Sequence, residues 1–316
     1  MQTGTAVTAI TDLSDWISAR LIGRQPLVER LLIALLTGGH VLIEGVPGLA
    51  KTRAVRLLAE GLEGSFARVQ CTPDLMPSDL TGTPVFRPDT GRFEFVEGPV
   101  FHNLVLVDEI NRAPPKVQSA LLEGMGERQV TAGGETYALP SPFMVVATQN
   151  PIEHEGTFPL PEAQLDRFLF HVLVGQPGTE DERRILDLVD GEAGMVPVRE
   201  LALTPDALAR AQEEIRAVHI APALKDYIVS LVTATRDAEA NPEIAHAVSP
   251  RGSIALLAGA RARAWLLGRD HATPEDVKVL AADALAHRLV LTWRAEADGV
   301  TARGVIERLL DRVQPL

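Results

Sequence analysis

Between the short apolar run Val41-Leu42-Ile43 and a stretch with Val55, Leu57 and Leu58 at helical spacing lies Gly45-Val46-Pro47-Gly48-Leu49-Ala50-Lys51-Thr52. A glycine-rich turn from a buried strand into a helix aims several backbone N–H groups and the positive helix end at one point, which suits a polyphosphate. In that reading Gly45 to Ala50 cradle the phosphates, Lys51 reaches the β and γ phosphates, and the Thr52 hydroxyl takes Mg²⁺. The generic motif has Gly directly before the lysine. Ala50 stands there instead, and its small side chain is expected to fit the first helical turn.

Downstream, Leu104-Val105-Leu106-Val107 runs into Asp108-Glu109, a buried strand ending in two carboxylates. At the carboxyl end of a parallel strand these would sit beside the phosphate loop, Asp108 holding Mg²⁺ through water and Glu109 polarising the attacking water. Met144 to Ala147 leads into Thr148-Gln149-Asn150-Pro151, where the Asn150 amide is either a sensor of the γ phosphate and lytic water or the opening of a turn before Pro151. Arg167 closes a short helix before the next strand. It is a candidate finger for a neighbouring molecule's site, or else a salt-bridge partner of Asp166 or Glu162. Ser249-Pro250-Arg251 opens a later helix, so Arg251 is a second candidate cation for the γ phosphate, or a solvated helix arginine. Asn111 and Arg112 read as structural, capping the helix that begins at Pro115 and pairing with its acids.

Five apolar runs look like buried strands: 41–43, 66–69, 104–107, 144–147 and 168–174. Their alternation with helical patterns, including an apolar helix over 27–36 that stops at Gly38-Gly39, predicts a parallel sheet with helices on both faces. Two segments, 85–96 and 129–139, carry turn residues between strand-like ends and read as inserted β-hairpins. They either project as transmitters or cover a sheet edge. Beyond Gly175 apolar residues recur only at helical spacing, predicting an all-helical unit with helices over 180–189, 205–218, 221–237, 251–268 and 274–287. Thr204 and Thr273 precede Pro205 and Pro274, an N-cap with first-turn proline. The expected division is an α/β nucleotide-binding domain over 1–177 with two inserted hairpins and a helical lid over 178–316.

Composition narrows the rest. With 316 residues the chain can bury a large core, and 46% hydrophobic with 23% charged residues argues for a globular protein. A net charge of -12 argues against generic nucleic-acid binding. No run approaches membrane-spanning length, the N-terminus does not resemble a signal peptide, and the chain reads as cytoplasmic. One cysteine, Cys71, excludes an intrachain disulfide and reads as a small buried residue at a strand end. The eight histidines show no zinc spacing, and His154 is expected in a solvated loop.

Taken together these motifs resemble the AAA+ ATPases, and more closely their MoxR family, over nearly the whole chain. The resemblance rests on residues 44–52 with their Ala before Lys, Asp108-Glu109-Ile110-Asn111-Arg112-Ala113-Pro114-Pro115-Lys116, Ala147-Thr148-Gln149-Asn150-Pro151, and residues 155–168 ending in Leu165-Asp166-Arg167-Phe168. It implies Walker A at 45–52, Walker B ending at Asp108 and Glu109, sensor 1 at Asn150, a trans-acting finger at Arg167 and sensor 2 at Arg251. It also implies that the first hairpin is the helix-2 insert and that Ile22-Gly23 lies on the adenine side. The implied activity is Mg²⁺-dependent ATP hydrolysis by a homo-oligomeric ring, expected as a hexamer, that remodels or activates partner proteins, some with von Willebrand factor A domains. Alternatives are a ring motor of the helix-2-insert type acting on nucleic acid or in metal chelation, and a slow nucleotide-gated scaffold.

Overall fold

The computed structural model describes residues 4–151, 156–192 and 203–315. Glu153, His154 and Glu155 therefore lie outside the described residues. The chain opens with helices α1 (Gly4–Arg20) and α2 (Gln25–Thr37), then β1 (Val41–Glu44), α3 (Lys51–Glu60) and β2 (Phe66–Gln70). Next come α4 (Pro77–Thr81), the strands β3 (Gly82–Arg87) and β4 (Arg92–Glu97), β5 (Leu104–Asp108) and α5 (Pro115–Glu127). The strands β6 (Gln129–Ala132) and β7 (Glu135–Ala138), β8 (Met144–Gln149), α6 (Glu162–Leu165) and β9 (Phe170–Leu173) complete the α/β part.

β1, β2, β5, β8 and β9 form one parallel sheet in the order β2-β5-β8-β1-β9. Side chains alternate along a strand, and here both faces are covered, which is why the strands read as unbroken apolar runs. Leu104, Leu106, Met144 and Val146 join the core under α2 and α3, while Val105, Val107, Val145 and Ala147 join a second core with Leu121, Leu122 and Met125 of α5. α2 ends as its glycine predicts, Gly38 adopting φ 67° and donating to the carbonyls of Ala34 and Leu35.

After β9 the chain is helical: α7 (Thr179–Glu192), α8 (Pro205–Ala217), α9 (Pro222–Ala234), α10 (Pro250–Leu266), α11 (Pro274–Leu285), α12 (Trp293–Ala297) and α13 (Ala302–Arg312). Thr204 caps α8 through the Ala207 N–H, and Thr273 forms a capping box with Asp276. Sequence periodicity missed one ladder, a short antiparallel pair of β10 (Ile244–His246) and β11 (Val290–Leu291), too brief for a period of two to register. Packing also differs from two separately cored units. The apolar cluster under α2 and α3 continues without a break through α1 into α8, α9, α10, α11 and α13. No helix among the described residues is long and apolar enough to cross a membrane.

Both expected hairpins form, β3 with β4 and β6 with β7, as two-stranded ladders outside the five-stranded sheet. The alternative in which they cover a sheet edge is therefore not what the strand pairing shows. Phe93 is 73% exposed, but Phe95 and Tyr137 are only half-exposed, because their rings stack at 4.0 Å and tie the hairpins together.

Candidate functional site

The carboxyl ends of β1, β5 and β8 open onto a cavity of about 370 Å³ lined by Pro47 to Thr52, Arg68, Gln70, Asp108, Glu109, Thr148 and Asn150. Two glycines make the loop possible. A Cβ on Gly45 would lie 2.6 Å from the Val174 carbonyl oxygen, and Gly48 takes φ 83°, a left-handed value costly to other residues. Ala50 departs from expectation. It sits ahead of α3 with φ 59°, not in the first helical turn, so a non-glycine residue holds a left-handed conformation where the loop meets the helix. The first-turn N–H groups of α3, which no intrahelical carbonyl can accept, begin at this point.

Lys51 Nζ donates to the carbonyls of Gly45 and of Gln149, the latter at 3.1 Å, and so pins the loop to the end of β8. Thr52 Oγ1 lies 3.3 and 3.4 Å from the two Asp108 carboxylate oxygens. Asp108 is 4% exposed, and Arg68 Nε donates to its Oδ2 at 2.7 Å while Thr148 Oγ1 donates to Oδ1 at 3.1 Å. Thr148 in turn accepts the Glu109 N–H at 2.9 Å, so one hydroxyl sets both acids. Glu109 turns out of the strand at φ 57°, and its Oε2 accepts from Gln70 Nε2 at 2.9 Å and Arg112 Nη1 at 3.1 Å.

Arg112 thus pairs with the candidate water-activating acid and not with the acids of α5. Asn111 is buried; its Nδ2 donates to the Asn150 carbonyl at 3.4 Å and its own carbonyl accepts from the Phe158 N–H at 2.5 Å, tying the β5 end to the β8 end. Cys71 is buried beside this site, and burial, with Asp108 and Glu109 nearby, pushes its thiol up to about 12, so it stays protonated and inert. Glu44, the last residue of β1, accepts from His171 Nε2 at 2.8 Å, and that hydrogen bond holds its carboxyl below the ordinary range.

A smaller hollow of about 110 Å³ adjoins the loop, bounded by Ile22, Arg24, Gly48, Ala50, Arg53 and, from α7, Ile185, Leu188 and Val189. Ile22 thus stands beside the glycine-rich loop.

Two candidates lie elsewhere. Arg167 is absent from the cavity lining and folds back on α5, where its Nη1 donates to the Leu122 carbonyl at 2.5 Å; it makes neither of the ion pairs weighed for it. Arg251 contacts Asp166, the residue before Arg167, at 3.3 Å. Asp166 also accepts from Ser249 Oγ at 3.1 Å and Arg288 Nε at 2.9 Å, so the helical region grips the chain at the root of Arg167.

Sequence reasoning did not single out Arg68, Gln70 or Thr148. Arg68 and Gln70 are two apart on β2 and hence share a face, a visible signal. Only the pairing of β2 with β5, with Gln70 opposite Asp108, puts that face beside the acids.

Residues 40–170 match the family described as ATPase family associated with various cellular activities (AAA), and 236–309 match the AAA lid domain. The chain is 48% identical over 301 residues to Chaperone MoxR1 of Mycobacterium tuberculosis, covering 93% of this chain and 78% of that one. It is 33% identical over 318 residues to Protein MoxR of Paracoccus denitrificans, covering 89% and 91%. A crystal structure of a Cytophaga hutchinsonii protein superposes with a TM-score of 0.91 at 42% identity, covering 99% of this chain and 97% of that one.

Proposed function

Because the chain belongs to the MoxR family of AAA+ ATPases, we propose that it is a Mg²⁺-dependent ATP hydrolase, working as a ring of identical subunits that remodels or activates partner proteins. The observation that carries this reading is the meeting of the phosphate loop, Thr52, Asp108, Glu109 and Asn150 around one cavity.

Lys51 exchanges its carbonyl partners for phosphate oxygens, so that its ammonium meets an anionic acceptor in place of a neutral one. The Thr52 hydroxyl and Asp108 carboxylate are hard oxygen donors on adjacent elements, a set suited to Mg²⁺, which keeps most of its waters and takes few protein ligands. Bound there, Mg²⁺ would offset charge on the β and γ oxygens. Glu109 uses Oε1 to orient the attacking water, since Gln70 and Arg112 occupy Oε2. Asn150 senses the γ phosphate from the end of β8.

Arg167 and Arg251 lie outside this cavity and share one edge through Asp166, which supports their acting on a neighbour's nucleotide and hence a ring, with six subunits as in the family pattern. The working division is a nucleotide-binding unit over 1–177 and a lid over 178–316, supported by the AAA lid match within the second. Partner proteins, von Willebrand factor A domains among them, are taken to engage the hairpins, whose Phe86 and Phe93 are exposed.

The test is turnover of ATP by the whole chain with Mg²⁺. Glu109→Gln should bind ATP normally and lose about 10²-fold or more in turnover. Hydrolysis at the parent rate by that variant would refute the role given to Glu109, and chelation of Mg²⁺ should abolish turnover in the parent protein.

A further inference from the structure

At the opposite ends of β1 and β8 from the phosphate loop, a second cavity of about 480 Å³ opens between the α/β layers and the C-terminal helices. Its floor is apolar, built by Leu35 and Leu36 of α2, Phe143 and Met144 at the entry to β8, and Leu208 and Ile215 of α8. Around that floor stand three arginines from three different elements: Arg128 at the end of α5, Arg216 in α8 and Arg261 in α10. None of their guanidinium groups pairs with a carboxylate among the described residues. Arg261 Nε is buried and has no hydrogen-bond partner. The Arg128 group leans over the end of α2, where a Cβ on Gly38 would come within 2.8 Å of its Nη2. Asp206 is the single acid in the lining.

Arg128 and Arg216 are exposed, so the anomaly is Arg261, half-buried and without a carboxylate partner among the described residues. Arg30, Arg263, Arg288 and Arg303, partly or fully buried elsewhere, each bind a carboxylate at 2.5 to 2.9 Å. A buried guanidinium nitrogen without an acceptor is costly, and its cost is removed when an acceptor arrives. The acceptor must be anionic to outweigh the repulsion among three cations, and forked to match a guanidinium. The apolar floor needs a ligand with an apolar body, and a volume of about 480 Å³ falls in the range of small-molecule sites.

We propose that this cleft binds a small organic anion, a carboxylate carried on an apolar stem, seated between the α/β half and the helical half and separate from the nucleotide. The stem lies on the floor formed by α2 and α8, and Arg261 and Arg216 take the carboxylate.

The probe is decanoate, kept below its micelle threshold and titrated calorimetrically into the whole chain, with acetate supplying the charge alone and decanol the stem alone. Decanoate should bind one site per chain at least tenfold more tightly than either control, and saturating ATP should leave that affinity unchanged. Arg216→Gln combined with Arg261→Gln should weaken it at least tenfold while the unfolding temperature stays the same, since neither guanidinium holds another element in place. Ala258→Trp, which fills the cleft from α10 and keeps the arginines, should abolish binding. Equal affinity for decanol, undiminished binding by the double variant or by Ala258→Trp, or binding of an acidic apolar peptide in place of decanoate would each overturn the proposal.

Discussion

Two non-glycine residues of the nucleotide cavity, Ala50 and Glu109, hold left-handed backbone at φ 59° and 57°. Such conformations cost about 1–2 kcal/mol each and persist where surrounding structure enforces them. For Glu109 three contacts enforce it: its N–H goes to Thr148, and its Oε2 accepts from Gln70 and Arg112. Thr148 also bonds Asp108, so it orients the proposed metal-holding acid and the proposed water-activating acid together. Thr148→Val keeps shape and removes both bonds. It is expected to lower Mg²⁺ affinity in the presence of ATP, and turnover with it, by about 10- to 100-fold, the usual effect of losing a residue that orients a ligand. Titrating Mg²⁺ against ATPase rate checks this; an unchanged Mg²⁺ requirement would remove Thr148 from the account.

Between elements, two contacts make quantitative claims. His40, just before β1, accepts the Val145 N–H at Nδ1 at 3.0 Å, so its proton sits on Nε2, facing the Met125 carbonyl at 3.3 Å. Burial, with Arg128 adding to it, lowers its pKa to about 4. A histidine neutral in the fold but free to protonate when unfolded contributes stability that is complete above pH 6.5 and is lost as pH falls towards 4. The shift from 6.5 to about 4 corresponds to about 3 kcal/mol. The stability lost between pH 7 and pH 4.5, read by denaturant unfolding, should be smaller in His40→Gln than in the parent by about 2 kcal/mol, and an unchanged loss would refute the role given to His40. His287, also held neutral by burial, titrates in the same direction and leaves a residual slope in that variant. The second contact is the Phe95–Tyr137 stack joining the hairpins, a kind of pair worth about 0.5–1.5 kcal/mol beyond burial. Tyr137→Ala should raise amide exchange across 82–97 without slowing basal ATP hydrolysis, because neither hairpin is hydrogen-bonded into the main sheet. Slowed hydrolysis would mean that the hairpins also shape the nucleotide cavity.

For the whole molecule, the decisive question is whether Arg167 serves a neighbour. Arg167→Ala should bind ATP and lose about 10³- to 10⁵-fold in turnover, the span typical of an arginine finger. Mixed with Lys51→Ala subunits it should regain activity at interfaces where an intact loop meets an intact arginine. Absence of rescue, once subunit exchange has been demonstrated, would assign Arg167 to its own site. With a net charge of -12, hydrolysis should be indifferent to single- or double-stranded DNA at moderate salt. Strong stimulation by DNA would favour a nucleic-acid motor instead.

The chain order of residues was enough to determine the local features: the strand–loop–helix around Lys51, the acids closing β5, the caps at Thr204 and Thr273, and the change to helices after β9. Each is set by neighbours in sequence, through side-chain period, glycine and proline geometry, or capping chemistry. Tertiary structure decided what depends on register and on surfaces meeting across the chain. Arg68 and Gln70 reach the acids because β2 pairs with β5, and Arg112 turns to Glu109 because that residue leaves the strand left-handed. Arg251 sits on Asp166 and outside the nucleotide cavity because the helical region shares one core with α1 and α2, which fixes α10 against α2. That shared core was hidden in the sequence because an apolar stripe shows which side of a helix is buried and not what covers it.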